Sequence, residues 1–278
     1  MTISLLAVLI AAGSFGAGLL GALTGLGGGI IVVPLLTLLF GVDLRYAIGA
    51  SLVSVIATSS GAAAAYVREG YTNVRVGIFL ELATTTGALM GAALSGFIPT
   101  SALAILFGLV LLFTAYRSLQ PREEHVVAAT PDRWAARLRL DSTYPTPSGL
   151  QRYSVRGVPA GFSLMLVAGV LSALLGIGSG IIKVLAMDQA MRLPFKVSTT
   201  TSNFMIGVTA AASAGVYLHR GYIEPALAFP VMLGVLSGAL FGARILGTAK
   251  TTRLRQIFTA VVVVMAIEML YKGIRGAM

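Results

Sequence analysis

The sequence predicts an all-α, polytopic membrane protein of about eight crossings, built as two duplicated four-helix halves whose first helices are broken. Three observations predict it. The composition is 56% hydrophobic and 11% charged over 278 residues, whereas soluble domains carry about 25% charged residues, so the chain lacks the polar surface to face water all round. Apolar runs fall at 3–40, 46–67, 74–97, 101–116, 157–187, 197–218, 223–248 and 256–271, and roughly 20 apolar residues span a bilayer. Finally, a constant shift relates the two halves, with Gly18 matching Gly169 at 169 − 18 = 151.

The first run is too long for one helix and is interrupted by Gly25-Leu26-Gly27-Gly28-Gly29. The fifth is interrupted by Gly176-Ile177-Gly178-Ser179-Gly180. Glycine opens helical backbone, and peptide groups opened at membrane depth must be satisfied by protein or a solvated cavity. Both runs are therefore expected to be broken or V-shaped around one internal site. Met1 through Leu9 is apolar with no basic n-region, so it reads as the start of the first membrane helix and not as a cleaved leader.

The remaining runs read as single helices, and the shift of 151 continues through them. Ser51 meets Ser202, Thr58 meets Thr209, and Gly70-Tyr71 meets Gly221-Tyr222. Two Gly/Ala-rich stretches can match by chance at isolated positions, but dipeptides at a constant shift argue for duplication. Units of four crossings would leave both halves in the same orientation. Gly87, Gly91, Gly238 and Gly242 sit one turn apart in these helices, a spacing that permits close helix packing and needs no chemistry. The chain thus divides into a first repeat over 1–117, a central hydrophilic loop over 118–156 and a second repeat over 157–278.

Within the loop, Pro131 stands at a helix-start position and Trp134 and Leu138 lie four apart, as in a short helix on the membrane surface with its arginines toward lipid phosphates. An irregular charged linker is the alternative. Net charge is +10. Without a basic stripe interleaved with aromatics, this charge points to the bilayer surface and not to nucleic acid. Under eight crossings, twelve of the 20 Lys and Arg fall on the side shared by the central loop and both termini, making that side cytoplasmic. Lys250, Arg253 and Arg255 fall on the other side in this count.

Zero cysteines exclude thiol catalysis, disulfides and thiolate metal sites, and no cofactor or metal site is expected. The chemistry lies in small hydroxyl residues after each break: Ser51, Ser54, Thr58, Ser59 and Ser60 in the first half, and Ser198-Thr199-Thr200-Thr201-Ser202-Asn203 in the second. Hydroxyls and an amide near a helix start, beside amide groups freed by glycine, make a donor-rich pocket for a small anion with several acceptor oxygens. Capping and small-residue packing are the structural alternative. Lys183, whose repeat partner is Val32, either completes the anion site or snorkels to the interface. Glu81, inside the third apolar run, is the candidate for proton coupling. Arg244 and Glu268 invite an ion-pair reading. Ser179 in its glycine-rich turn, with a distant His219, also fits an intramembrane hydrolase.

The string Gly-Leu-Gly-Gly-Gly-Ile-Ile-Val-Val-Pro at 25–34, its echo at 174–184 and Thr-Thr-Thr-Ser-Asn-Phe at 199–204 resemble the TauE/SafE sulfite exporter family, also called the toluene-sulfonate uptake permeases. The resemblance implies a duplicated helical permease, not an enzyme. It would act in the bacterial cytoplasmic membrane on sulfite, sulfonates, thiosulfate or sulfoacetate, by uniport or with a coupling ion such as the proton. Carried onto this chain, the substrate positions are Gly25, Gly27, Gly28, Gly29 and Ser51 in the first half. In the second they are Gly176, Gly178, Ser179, Gly180, Thr200, Thr201, Ser202 and Asn203, to which the reading of the residues adds Lys183. The second copy departs from the pattern at Ser179 and has Leu185 where the first has Pro34, so the two breaks are expected to contribute unequally. A passive channel for a small solute is the alternative.

Overall fold

The computed structural model describes residues 3–24, 28–68, 70–120, 132–146, 149–246 and 251–276. Gly25, Leu26 and Gly27 of the first break lie outside the described residues. Helix α1 (Ile3–Thr24) precedes the break, and α2 (Gly29–Pro34) follows it and runs into a π-helical turn, Leu35–Leu39. Next come α3 (Leu44–Arg68), α4 (Val74–Leu94) and α5 (Thr100–Leu119). The central segment holds α6 (Arg133–Leu138) and an antiparallel hairpin of β1 (Ser142–Thr146) and β2 (Gly149–Tyr153). Then follow α7 (Val158–Leu175), α8 (Gly180–Leu185) with its π-helical turn Ala186–Ala190, α9 (Phe195–His219), α10 (Pro225–Leu246) and α11 (Thr251–Arg275). From α8 onward, five element starts lie 151 residues after those of α2, its π turn, α3, α4 and α5.

Among the described residues, six helices are long and apolar enough to cross a membrane: α1, α4, α5, α7, α10 and α11. Helices α3 and α9 have 25 residues each, and the run of Ser, Thr and Asn at 198–203 lowers the hydropathy of α9. Local signals mark the ends. Gly70 and Gly221, at φ +76 and +75, turn the chain after α3 and α9, and Asn73 caps α4 by accepting from the Val76 amide.

Close approaches fix how these helices run. A Cβ on Gly87 would sit 2.1 Å from the Leu166 carbonyl oxygen, and one on Gly91 2.4 Å from that of Val170, so α4 and α7 run parallel. Gly234 and Gly238 meet the Ala11 and Phe15 carbonyls in the same way, making α1 parallel to α10. Gly108 lies against Ala266 and Gly273 against Ser101, so α5 and α11 run antiparallel. Gly49, near the start of α3, abuts Tyr222 just past the end of α9. Near the start of α9, Thr200 Oγ1 donates to the Tyr71 carbonyl just past the end of α3, at 3.1 Å. Helix α3 and its counterpart α9 are thus antiparallel.

These directions overturn the expectation that both halves point the same way. Helix α1 is parallel to α10, which begins beside the start of α3, so the chain enters α1 and α3 from the same end. The α1–α2 pair is a hairpin that returns to the face it came from, and α7–α8 does the same from the opposite face. Three end-to-end passages then remain in each half, and an odd number inverts the second relative to the first. The termini and the central loop consequently occupy opposite ends of the bundle, not one shared side. Among the described residues, only Arg45, Arg220, Lys272 and Arg275 lie toward the terminal end, and Lys183 lies between the ends. Arg122 and Lys250 lie outside the described residues, and the other 18 − 5 = 13 described cations, with Arg253 and Arg255 among them, belong to segments at the loop end.

The central segment docks on that end. Ala135, Leu140, Tyr153 and Val155 are buried in a cluster with Val76, Met187, Met191 and Leu193. Asn73 Nδ2 donates to the Leu140 carbonyl at 2.9 Å and to the Tyr153 hydroxyl at 2.7 Å. Burial pushes the Tyr153 phenol up to about 12, opposed in part by the Asn73 hydrogen bond.

Candidate functional site

The two breaks meet. A Cβ on Gly29 would lie 3.3 Å from the Gly176 carbonyl oxygen and 2.8 Å from Val55. Ser51 Oγ, from α3, donates to that Gly176 carbonyl at 2.7 Å and lies 3.4 Å from the Gly29 carbonyl oxygen. Its counterpart Ser202, from α9, donates to the Gly180 carbonyl at 3.2 Å. These serines satisfy carbonyls that an open backbone would leave bare in lipid. Gly178 is pressed by Val55 and Ile206, and Gly180 by Ile206, so side chains of α3 and α9 leave no room for a Cβ at either break.

The second break runs through left-handed backbone. Gly176, Gly178 and Ser179 have φ of +67, +68 and +44, all left-handed, while Gly28, at the position matching Ser179, is right-handed at φ −71. A serine tolerates this geometry because its Oγ donates to the Ala168 carbonyl at 2.7 Å. From the junction α2 runs toward the start of α3 and α8 toward the start of α9, at opposite ends. Both half-helices therefore place their amino ends, with their free N–H groups and partial positive charge, at the centre of the protein.

One turn into α8 stands Lys183, fully buried. Its Nζ donates to Thr209 Oγ1 at 2.6 Å, and Thr209 Oγ1 is 2.7 Å from Glu81 Oε1. Thr85 Oγ1 donates to the same carboxylate oxygen at 3.0 Å. The second oxygen, Oε2, is buried without a hydrogen-bond partner. Thr209 also lies 3.1 Å from the Met205 carbonyl, and its single proton serves either Glu81 or Met205. The positions matching Lys183, Thr209 and Glu81 in the other half are Val32, Thr58 and Met232, so this charged chain exists on one side only.

The structure brings Gly29, Ser51, Gly176, Gly178, Ser179, Gly180 and Ser202 together, and sets Lys183 and Glu81 on either side of Thr209. Gly28 packs instead on Val235 and Gly18. Thr200 and Thr201 face the α3–α4 turn: Thr200 bonds the Tyr71 carbonyl, and Thr201 Oγ1 accepts from the Asn73 amide at 3.0 Å. Asn203 is half-buried on the same turn of α9. Sequence reasoning singled out neither Thr209 nor Thr85 as a site residue. Their signals were the Thr58/Thr209 match and the spacing of Thr85 one turn after Glu81.

Residues 9–269 match the family model described as sulfite exporter TauE/SafE. "Probable membrane transporter protein YunE" of Bacillus subtilis is 25% identical over 93% of this chain and 95% of its own. YdhB of the same organism, also named a probable membrane transporter protein, is 29% identical over 79% of this chain and 82% of its own. "Probable membrane transporter protein MJ0441" of Methanocaldococcus jannaschii is 27% identical over 96% of each chain. No solved structure matches the chain significantly.

Proposed function

Because the chain belongs to the sulfite exporter TauE/SafE family, and is an integral membrane transporter and not an enzyme, we propose that it carries a small sulfur oxyanion such as sulfite or an organosulfonate through the junction of the two breaks. The observation that carries this reading is Lys183, a fully buried ammonium one turn from a half-helix amino end. An ammonium at such depth is costly unless it meets a counter-charge. Thr209 supplies one hydrogen bond and Glu81 stands beyond it, which leaves two N–H groups for an anionic guest. Freed amides at the amino ends of α2 and α8 complete the lining.

Glu81 is the proton-coupling residue in this scheme. Protonation would remove the charge that competes for Thr209 and Lys183, so proton and anion would bind together. A membrane potential negative inside drives anions outward by about 2.3 kcal/mol per charge per 100 mV, so export can run downhill whereas uptake needs the coupled proton. The excess of Lys and Arg at the loop end makes that end cytoplasmic, with six full crossings and two hairpins formed from a duplicated, inverted unit in a bacterial cytoplasmic membrane.

Alternating access would work through two pairs at opposite ends of α3 and α9, which support this reading. Arg45 stacks on Tyr222, 5.6 Å from the ring centre, and donates to its hydroxyl at 3.2 Å. At matching positions 151 residues on, Lys196 stands 3.7 Å over the Tyr71 ring. Opening one pair at a time would expose the junction to one side. Since α1 packs on α10 and α4 on α7, the moving bodies combine helices of both halves.

The test is sulfite and sulfonate flux into proteoliposomes, with and without a pH gradient. Lys183→Met should abolish saturable anion flux in protein that remains folded. Wild-type flux in Lys183→Met, or flux that never saturates, would overturn the reading in favour of another site or a channel.

A further inference from the structure

We infer that the module of α6 and the β1–β2 hairpin binds the headgroups of anionic phospholipids, and that this contact holds the cytoplasmic end of the α3–α9 pair closed. The inference concerns a surface remote from the junction and does not depend on which anion is carried.

Helix α6 has three kinds of side. Ala135 is buried against the bundle. Next to it, one turn apart, Trp134 and Leu138 are 52% and 38% exposed. Arg133 and Arg137, also one turn apart and exposed, lie beyond them. A docked side, an exposed apolar edge and a cationic side in sequence suit a helix lying at the glycerol and phosphate level of a leaflet. In the hairpin, Tyr144 packs edge-on against Tyr153 on the inner face, which leaves Leu150, 75% exposed, and Arg152 on the outer face.

Charge and position select lipid over a soluble partner. The described part of the module carries Arg133, Arg137, Arg139, Arg152 and Arg156 against Asp132 and Asp141, and Asp141 is turned inward to accept from the Val155 amide at 2.8 Å. The module sits where α4 and α7 begin, and the outer sides of those helices are apolar and exposed at Ile78, Leu82, Leu164 and Val167. Hydrocarbon thus reaches up to the module. The leaflet on that side is the cytoplasmic one, where anionic lipids attract basic segments.

The module is tied to the helices that must part. Asn73, in the α3–α4 turn, donates to Leu140 and Tyr153 of the module, while its amide donates to Thr201 of α9. Fixing the module on the leaflet therefore fixes the α3–α4 turn on α9, beside the Lys196–Tyr71 pair.

Trp134 is the one tryptophan of the chain, so its fluorescence reports on α6 in the full protein. In nanodiscs of equal parts phosphatidylcholine and phosphatidylglycerol, its emission should shift to the blue, and acrylamide should quench it less, than in phosphatidylcholine alone. Raised salt should reverse the change, and Arg133→Gln with Arg137→Gln should weaken it roughly fivefold per arginine. Identical emission in the two lipids, an unaltered response in the double variant, or a response reproduced by inorganic phosphate in phosphatidylcholine discs would overturn lipid binding. Asn73→Ala and Tyr153→Phe should keep the fluorescence response yet make flux in liposomes insensitive to phosphatidylglycerol. Flux in both variants that follows lipid charge as in wild type would overturn the link to closure.

Discussion

Replacing Thr209 by valine removes one oxygen atom and little else, because valine keeps the branched shape of the buried side chain. That oxygen lies 2.6 Å from an ammonium and 2.7 Å from a carboxylate oxygen. Hydrogen bonds to charged groups contribute about 1.5–3 kcal/mol each. Loss of the Lys183 bond alone would change the anion-binding equilibrium by roughly 10- to 150-fold. Loss of the Glu81 bond would separate the carboxylate from the ammonium, so the response of flux to a pH gradient should flatten as well. Thr209→Ser keeps the hydroxyl and should retain both properties, which separates the polar role from packing. The assay is flux of labelled sulfite in proteoliposomes at several anion concentrations, with equal and unequal pH across the membrane. If Thr209→Val matches wild type in both affinity and pH response, the Lys183–Thr209–Glu81 chain has no part in transport.

Other consequences follow from the same geometry. Gly176→Ala would force a side chain into φ +67 and to within 3.0 Å of Ile48 atoms, so the variant should lose flux and melt at lower temperature, whereas Gly215→Ala, where a Cβ meets nothing within 4 Å, should tolerate the change. The chain has no cysteine, so single cysteines at Ser142 and Gly276 should label with an impermeant maleimide from opposite sides of the membrane; labelling from one side would refute the inverted arrangement. Docking of the Tyr153 phenol favours its neutral form, since its value is raised from 10.0 to about 12. The stability this provides should be complete below about pH 10 and fall as pH rises toward 12, seen as a change in Trp134 emission that Tyr153→Phe removes.

Much of the architecture was legible along the chain because lipid imposes simple rules. Apolar runs become helices, and the glycine runs at 25–29 and 176–180 announce opened backbone. The 151-residue shift in the sequence also returns in the starts of five elements. Close packing at Gly87, Gly91, Gly238 and Gly242 was equally legible, since small residues one turn apart have few other uses in a membrane helix. Thr200 and Thr201 were not: their run resembles a pocket lining, yet their hydroxyls serve the α3–α4 turn.

By itself, then, the sequence determined that this is a bundle of helices for lipid, where its backbone opens and which residues carry charge. Direction was decided only in the tertiary structure. Hydropathy measures how much of a segment prefers lipid and is blind to whether the chain, after a glycine break, continues outward or doubles back. Here both breaks turn back, so the number of passages per half becomes odd and the second half is inverted. The meeting of Lys183 with Glu81 through Thr209 was decided there as well, because α8, α9 and α4 are brought side by side by packing at glycines far away in the chain, and a charge in lipid finds its partner only where packing puts one.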